Sequence, residues 1–266
     1  MTYSCAYFAG ESATLEQAQS AKHELVCRKL GLRSGMRILD VGCGWGEMAI
    51  HAARHHAVRV LGVTLSRPQA ELAAKRVADA GLSDRVTIRI QDYRDVRDGP
   101  FDAIASIGMF EHVGRAKSHD YFRSLVRLLE PGGRLLNHAI SKPFGRSSFA
   151  RDSFISRYVF PDGELQEVGS VISAMQEVGF EVRDVESLRE HYARTLRSWV
   201  GNLQGNWEAA CDLVGAARAR VWRLYMAGSA LMFEAGRINV HQVLGVRPGQ
   251  SGSSGMPATR AELVSP

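Results

Sequence analysis

The chain has 266 residues, 45% of them hydrophobic, which is enough for one substantial core and points to one domain with an inserted cap rather than two independent domains. Its formal charge of +5 rests on a basic population richer in arginine than lysine; this suits anionic surfaces, and with no nucleic-acid-binding motif beside it, nucleic acid is excluded as a partner. No apolar run approaches the roughly 20 residues of a membrane-crossing helix and no secretory leader opens the sequence, so the expectation is a cytoplasmic protein in transient contact with the inner membrane surface.

In chain order, short β-branched and apolar runs at Arg37 to Val41, Arg59 to Val63, Val86 to Ile90, Phe101 to Ile107 and Gly133 to Ile140 read as buried strands. Helical patterns at Glu47 to His56, Arg67 to Ala80 and His119 to Leu129 fall between them. This alternation specifies an α/β fold with a doubly wound parallel sheet. After Ile140 the composition changes, and residues 141–180 and 192–235 are expected to form a substrate cap. Glu181 to Leu188 reads as a strand, Thr195 to Met232 as mostly helix, and Arg237 to Val246 as a strand pairing antiparallel at the sheet edge. The Gly, Ser and Pro content of residues 247–266 predicts a disordered tail. The domain proper is therefore 1–246.

The four cysteines, Cys5, Cys27, Cys43 and Cys211, show no CxxC or Cys/His ligand spacing, so free thiols and no metal are expected. The run Asp40-Val41-Gly42-Cys43-Gly44-Trp45-Gly46 closes the first strand and opens a helix, where glycines allow a tight turn and close approach of a ligand. Asp40 would repel a diphosphate but would hold an ammonium, which favours S-adenosylmethionine over a dinucleotide. At the end of the second strand no acid stands ready for a ribose. Thr64 and Gln69 offer neutral hydrogen bonds instead, although Ser66 and Pro68 also read as an N-cap and first helical turn. Asp92 and Tyr93, after the third strand, offer a carboxylate and a ring to an adenine. The apolar residues Phe154, Ile155, Tyr158, Phe160, Met232 and Phe233 are candidates for an acyl tunnel and equally for plain core.

Taken together, Tyr3-Ser4-Cys5-Ala6-Tyr7-Phe8, the glycine run, Gly62 to Gln69, Ser106 to Gly114, His138-Ala139-Ile140, Phe154 to Leu165, His191 to Leu196 and Arg237 to Gln242 resemble the cyclopropane fatty acid and mycolic acid synthases. The resemblance implies a Rossmann-like class I S-adenosylmethionine methyltransferase fold, a seven-stranded mostly parallel sheet with a helical cap. It implies methylation of a cis double bond in an unsaturated acyl chain, delivered as phospholipid or on a carrier, with ring, methyl-branch and methylene products all open. Tyr3, Ser4, Asp40, Gly42, Gly44, Gly46, Thr64, Gln69, Asp92 and Tyr93 would then hold the cofactor. A bicarbonate ion would serve as base, held by the Cys5 backbone, Glu111, His138, the Ile140 backbone and Tyr192. A covering segment before the Tyr3 motif belongs to that pattern, and the sequence, starting at Met1, is expected to lack it. Where many members carry a cysteine near the C-terminus, Ser229 stands here. A second reading from another class is a cofactor-binding protein without catalysis.

Overall fold

The structure is a computed structural model, in which residues 1–146, 153–249 and 251–264 are described. Ahead of the first strand runs a helix that the sequence reading does not include, α1 (Leu15–Leu30), opened by a reciprocal capping box between Thr14 and Gln17 and closed by Gly31 in the left-handed conformation. There follow β1 (Arg37–Val41), α2 (Glu47–His56), β2 (Arg59–Thr64), α3 (Arg67–Asp79), β3 (Val86–Ile90), β4 (Phe101–Ile107), α4 (Ser118–Leu128) and β5 (Leu129–Ser141). The chain then forms α5 (Phe154–Tyr158), α6 (Val168–Glu177), β6 (Glu181–Ser187), α7 (Arg189–Gly205), α8 (Trp207–Val214), α9 (Ala216–Glu234), β7 (Asn239–Val246) and α10 (Arg260–Val264).

Among the described residues, seven strands form one sheet in the order β3-β2-β1-β4-β5-β7-β6. Pairings among β1 to β5 are parallel, while β7 runs antiparallel to both β5 and β6. The expected antiparallel pairing of the last strand is present, but its expected place at the edge is taken by β6. β7 sits inside the sheet, and its residues from Val243 to Val246 are buried as an interior strand requires.

Strand alternation sends Ile38, Val60 and Ala103 to one side, where α1, α2 and α3 pack with Cys27, Leu30, Ala49, Ala53 and Val77. Leu39, Val41 and Ile104 face the other side, against Phe122 and Leu125 of α4 and Val171 and Met175 of α6. α6 therefore covers the sheet, and the second half of the expected 141–180 cap belongs to the core because its apolar stripe meets α4 and the strands. Residues 147–152 of that segment lie outside the described residues. The cap itself is built from α7, α8 and α9, with Leu188, Tyr192, Leu196, Ala230 and Phe233 forming a third core.

The disordered tail expected from residue 247 onward is also corrected. Leu263 of α10 is 5% exposed in the core under α1, and Arg260 pairs with Asp184 at 2.7 Å and Glu186 at 2.9 Å. Ion pairing and one buried leucine hold a segment whose composition alone reads as loose. Residues 250, 265 and 266 lie outside the described residues.

Candidate active site

The carboxyl ends of the central strands open onto a cavity of about 680 Å³, the crevice in which doubly wound sheets take ligands. One wall is the turn after β1. Gly42 and Gly44 have φ of +74° and +54°, a backbone region that side chains strain. A Cβ on Gly44 would also lie 3.2 Å from the Tyr3 ring. Gly46 serves packing instead, since a Cβ there would meet Ala73 at 3.1 Å; this glycine lets α2 approach α3 and does not line the cavity. Replacing Gly44 by alanine should weaken S-adenosylmethionine binding about tenfold or more through strain of roughly 1–3 kcal/mol. Isothermal titration checks this, and unchanged affinity would detach the turn from the ligand.

Asp40, at the end of β1, is 3% exposed and its Oδ2 has no hydrogen-bond partner among the described residues. Burial pushes its carboxyl up to about 7 against the opposing pull of Lys22. Lys22 comes from α1, is 1% exposed, and donates to Ser4 Oγ at 3.2 Å; burial lowers its ammonium to about 8. An unpartnered buried carboxylate is costly, and a cationic ligand group relieves that cost. From the second strand, Thr64 Oγ1 donates to Gln69 Oε1 at 3.0 Å and Gln69 Nε2 donates to the Tyr3 hydroxyl at 3.0 Å. Ser66 at the same time caps α3 with Pro68 in its first turn, so both readings of this segment hold together. Tyr3 and Gln69 line the cavity, and Thr64 stands behind them.

Asp92 and Tyr93 stand apart. Asp92 accepts from Arg94 at its backbone N–H and guanidinium, and Tyr93 packs edge-on against Tyr121 at 5.2 Å and lines a separate depression beneath α4. Neither lines the main cavity.

On the opposite side of the cavity, the chain leaves β4 through a tight turn, Phe110–His112, that carries Glu111. Its Oε1 accepts the Ile140 N–H at 2.8 Å, while the buried Oε2 has no partner among the described residues. Burial pushes Glu111 up to about 7, opposed by that backbone bond. His138 lies two residues before Ile140 on the same face of β5. Burial, with the charges of Lys22, Lys29 and His241, lowers its imidazole to about 3, so the ring is neutral. Gln242 Nε2 is 3.2 Å from His138 Nδ1; as donor it leaves the ring proton on Nε2, which is buried without a partner among the described residues. Tyr192 of α7 lines the cavity as a neutral phenol, its hydroxyl pushed well up by burial and by the proximity of Tyr225, Cys5, Glu111 and Tyr3. Cys5 is fully buried, and burial pushes its thiol up out of the nucleophilic range. Ala6 next to it donates to Thr195 Oγ1 at 3.0 Å, tying the Tyr3 motif to α7.

The structure thus brings Tyr3, Ser4, Asp40, Gly42, Gly44, Gln69, Glu111, Ile140 and Tyr192 to one cavity, while Cys5 and His138 are buried and do not line it. Of the tunnel candidates, Ile155, Phe160 and Phe233 line it. Phe154 packs instead on the half-exposed Tyr158, and Met232 joins the cap core. Lys22, Trp199, Trp222, Tyr225 and Met226 also line the cavity, and the sequence reading does not single them out. A signal for most of them exists: Trp222, Tyr225, Met226, Ser229 and Phe233 recur at helical spacing on one face of α9.

The model of the family described as mycolic acid cyclopropane synthetase matches residues 1–243. A probable fatty acid methyltransferase of Pseudomonas putida is 46% identical over 99% of this chain and 68% of its own length. The cyclopropane-fatty-acyl-phospholipid synthase of Escherichia coli is 38% identical over 95% of this chain and 64% of its own length. The chain therefore spans roughly two thirds of these curated relatives. Among solved structures, the cyclopropane synthase MmaA2 from Mycobacterium tuberculosis superposes with a TM-score of 0.86 at 34% identity, covering 92% of this chain and 90% of that one. The mycolic acid cyclopropane synthase CmaA1, complexed with SAH and CTAB, gives a TM-score of 0.86 at 36% identity over 92% and 89% of the two chains.

Proposed function

Because the chain belongs to the mycolic acid cyclopropane synthetase family, we propose that it transfers a methyl group from S-adenosylmethionine to the double bond of an unsaturated fatty acyl chain, carried on phospholipid or on a carrier protein. The observation that carries this reading is a pair of buried, unpartnered polar atoms, Glu111 Oε2 and His138 Nε2, beside a cavity walled by Trp199, Trp222, Phe160, Phe233 and Ile238. A methylation at nitrogen or oxygen creates no carbon cation for an aromatic wall to shield. Alkene methylation does, and that cation must be shielded from water and then relieved of a proton.

When bound, S-adenosylmethionine supplies an electrophilic methyl group on a sulfonium. Asp40 would take its ammonium, satisfying Oδ2, while the Gly42–Gly44 turn admits the ligand to the backbone and the Gln69–Tyr3 pair offers polar contacts to the ribose. The aromatic faces of the cap would stabilise the developing positive charge and exclude water. Glu111 and the neutral His138 would then hold a base through their unpartnered atoms, with the Tyr192 hydroxyl as a further donor.

Bicarbonate fits that position, being weakly nucleophilic and able to collect a proton without trapping the cation. Within the donor set, Cys5 would contribute only its backbone. The Ile140 N–H is already given to Glu111 Oε1, so Ile140 acts by orienting the carboxyl. Ser229, 5% exposed on the cavity wall, takes no part in proton transfer.

The test is incubation of the purified chain with S-adenosylmethionine, bicarbonate and vesicles of unsaturated phospholipid, read by mass spectrometry of released acyl chains. Acyl chains heavier by one CH₂, formed more slowly in bicarbonate-free buffer, are the expected result. Cofactor binding without any acyl product would favour the cofactor-binding, non-catalytic reading, and product formation indifferent to bicarbonate would remove the carbonate base.

A further inference from the structure

Between α1 and α2, helices that form the back of the cofactor wall, three potential metal donors come together, and a carboxylate touches two of them. Cys27 Sγ and one ring nitrogen each of His51 and His56 lie within 4.8 Å of one another. His51 Nε2 and His56 Nε2 both approach Glu24 Oε2, at 3.3 and 3.0 Å, while Arg28 holds Glu24 Oε1 at 2.9 Å. Glu24 and Cys27 share a face of α1 at i and i+3, and α2 supplies His51 from its middle and His56 as its last residue.

We propose that Cys27, His51 and His56 form a binding site for a divalent transition-metal ion of the zinc type, with Glu24, which already touches both imidazoles, recruited as the fourth ligand on binding. The donor set is one sulfur, two imidazole nitrogens and one carboxylate oxygen, which suits a tetrahedral borderline ion and not a hard cation such as magnesium or calcium. Its charge also matches: the carboxylate and a thiolate together neutralise a divalent ion. On binding, the Cys27 S–H bond breaks, its proton leaves to solvent and a sulfur–metal bond forms. Each imidazole exchanges its contact with Glu24 for a nitrogen–metal bond.

The surroundings permit this. Cys27 is fully buried, whereas the side chains of His51, His56 and Glu24 retain 10%, 18% and 29% of their exposure, so solvent reaches the cluster at these three residues. A hydrogen-bonded staple between two helices would need only the carboxylate and the imidazoles; a thiol within 4.8 Å of both imidazoles is what such a staple does not require. The site also bears on the cavity, since the His23 ring is 5.5 Å from His51 and His23 lines the cavity beside Lys22. An ion here would lock the two helices together. Donors from two packed helices explain why linear Cys/His spacing gives no hint of it.

Cobalt(II) is the probe. The metal-stripped chain should take up one equivalent, with a thiolate-to-cobalt charge-transfer band and the strong visible absorption of tetrahedral cobalt, and zinc should displace it. Cys27→Ala should lose the charge-transfer band. His56→Gln, a change at the helix end with an unaltered circular dichroism spectrum, should lower affinity at least about tenfold and lower the zinc-induced gain in Tm. Absence of saturable uptake overturns the proposal. So does a band that persists in a folded Cys27→Ala variant, or an affinity that His56→Gln leaves unchanged.

Discussion

Replacing Glu111 by glutamine should lower kcat by about 10²- to 10⁴-fold while raising thermal stability at alkaline pH. The two effects have one cause. Burial raises the Glu111 carboxyl from 4.5 to about 7, so folding favours its protonated form. The contribution to stability is fully present below the unfolded value near 4.5 and is lost as pH rises through about 7. Above that, the folded state carries a buried, half-partnered carboxylate at a cost on the order of 3 kcal/mol. Glutamine keeps an oxygen for the Ile140 N–H and cannot ionise. The Tm advantage of Glu111→Gln over the parent should therefore grow between pH 4 and pH 8, with binding of S-adenosylmethionine retained. A Tm difference that is flat over that range would show that the carboxyl is not strained by burial. Retained turnover would remove it from the reaction.

Lys29→Met should destabilise the fold by about 3–5 kcal/mol, the cost of breaking a buried ion pair by removing one partner. Lys29 is fully buried and its ammonium lies 2.8 Å from Asp184 and 2.6 Å from Glu186 on β6. Burial alone would raise Asp184, but Lys29 and Arg260 together hold it below its ordinary value. Without the lysine, two carboxylates at the edge strand keep, among the described residues, only the half-exposed Arg260. Urea denaturation measures the loss. The double variant Lys29→Met with Asp184→Leu should recover much of it, since the uncompensated charge and not the lost contact dominates the cost. A Lys29→Met variant within about 1 kcal/mol of the parent would show that water reaches these groups.

How far the sequence discloses this structure depends on which residues break the patterns. The strands are legible because β1, β2 and β4 are nearly continuous apolar runs, and the glycine turn because its residue types leave few alternatives. α1 is not, because its buried face includes Gln19, Lys22, His23 and Lys29, so the hydrophobic period is interrupted by polar residues whose partners lie far along the chain. Only the Thr14–Gln17 capping box marks it. The same helix supplies Lys22 to the cavity and Cys27 to the proposed metal site, so both stay hidden with it. α6 reads as cap because composition does not say which face an amphipathic helix meets. Glu111, His138 and Tyr192 are individually ordinary; where they stand depends on the β4 turn, the β5 register and the placement of α7, which periodicity does not reveal. Asp92 shows the reverse case, a well-placed acid in the sequence whose carboxylate is engaged by Arg94 two residues on.

The most direct test of the central claim uses S-adenosylmethionine whose transferable methyl carries deuterium in place of hydrogen, with unsaturated phospholipid vesicles as acceptor. The proposed reaction predicts label on the former double-bond carbons of the acyl chain. Loss of one deuteron would accompany ring closure or methylene formation, and full retention would accompany a methyl branch. Label confined to a headgroup nitrogen or oxygen, or remaining entirely on the cofactor, would contradict it.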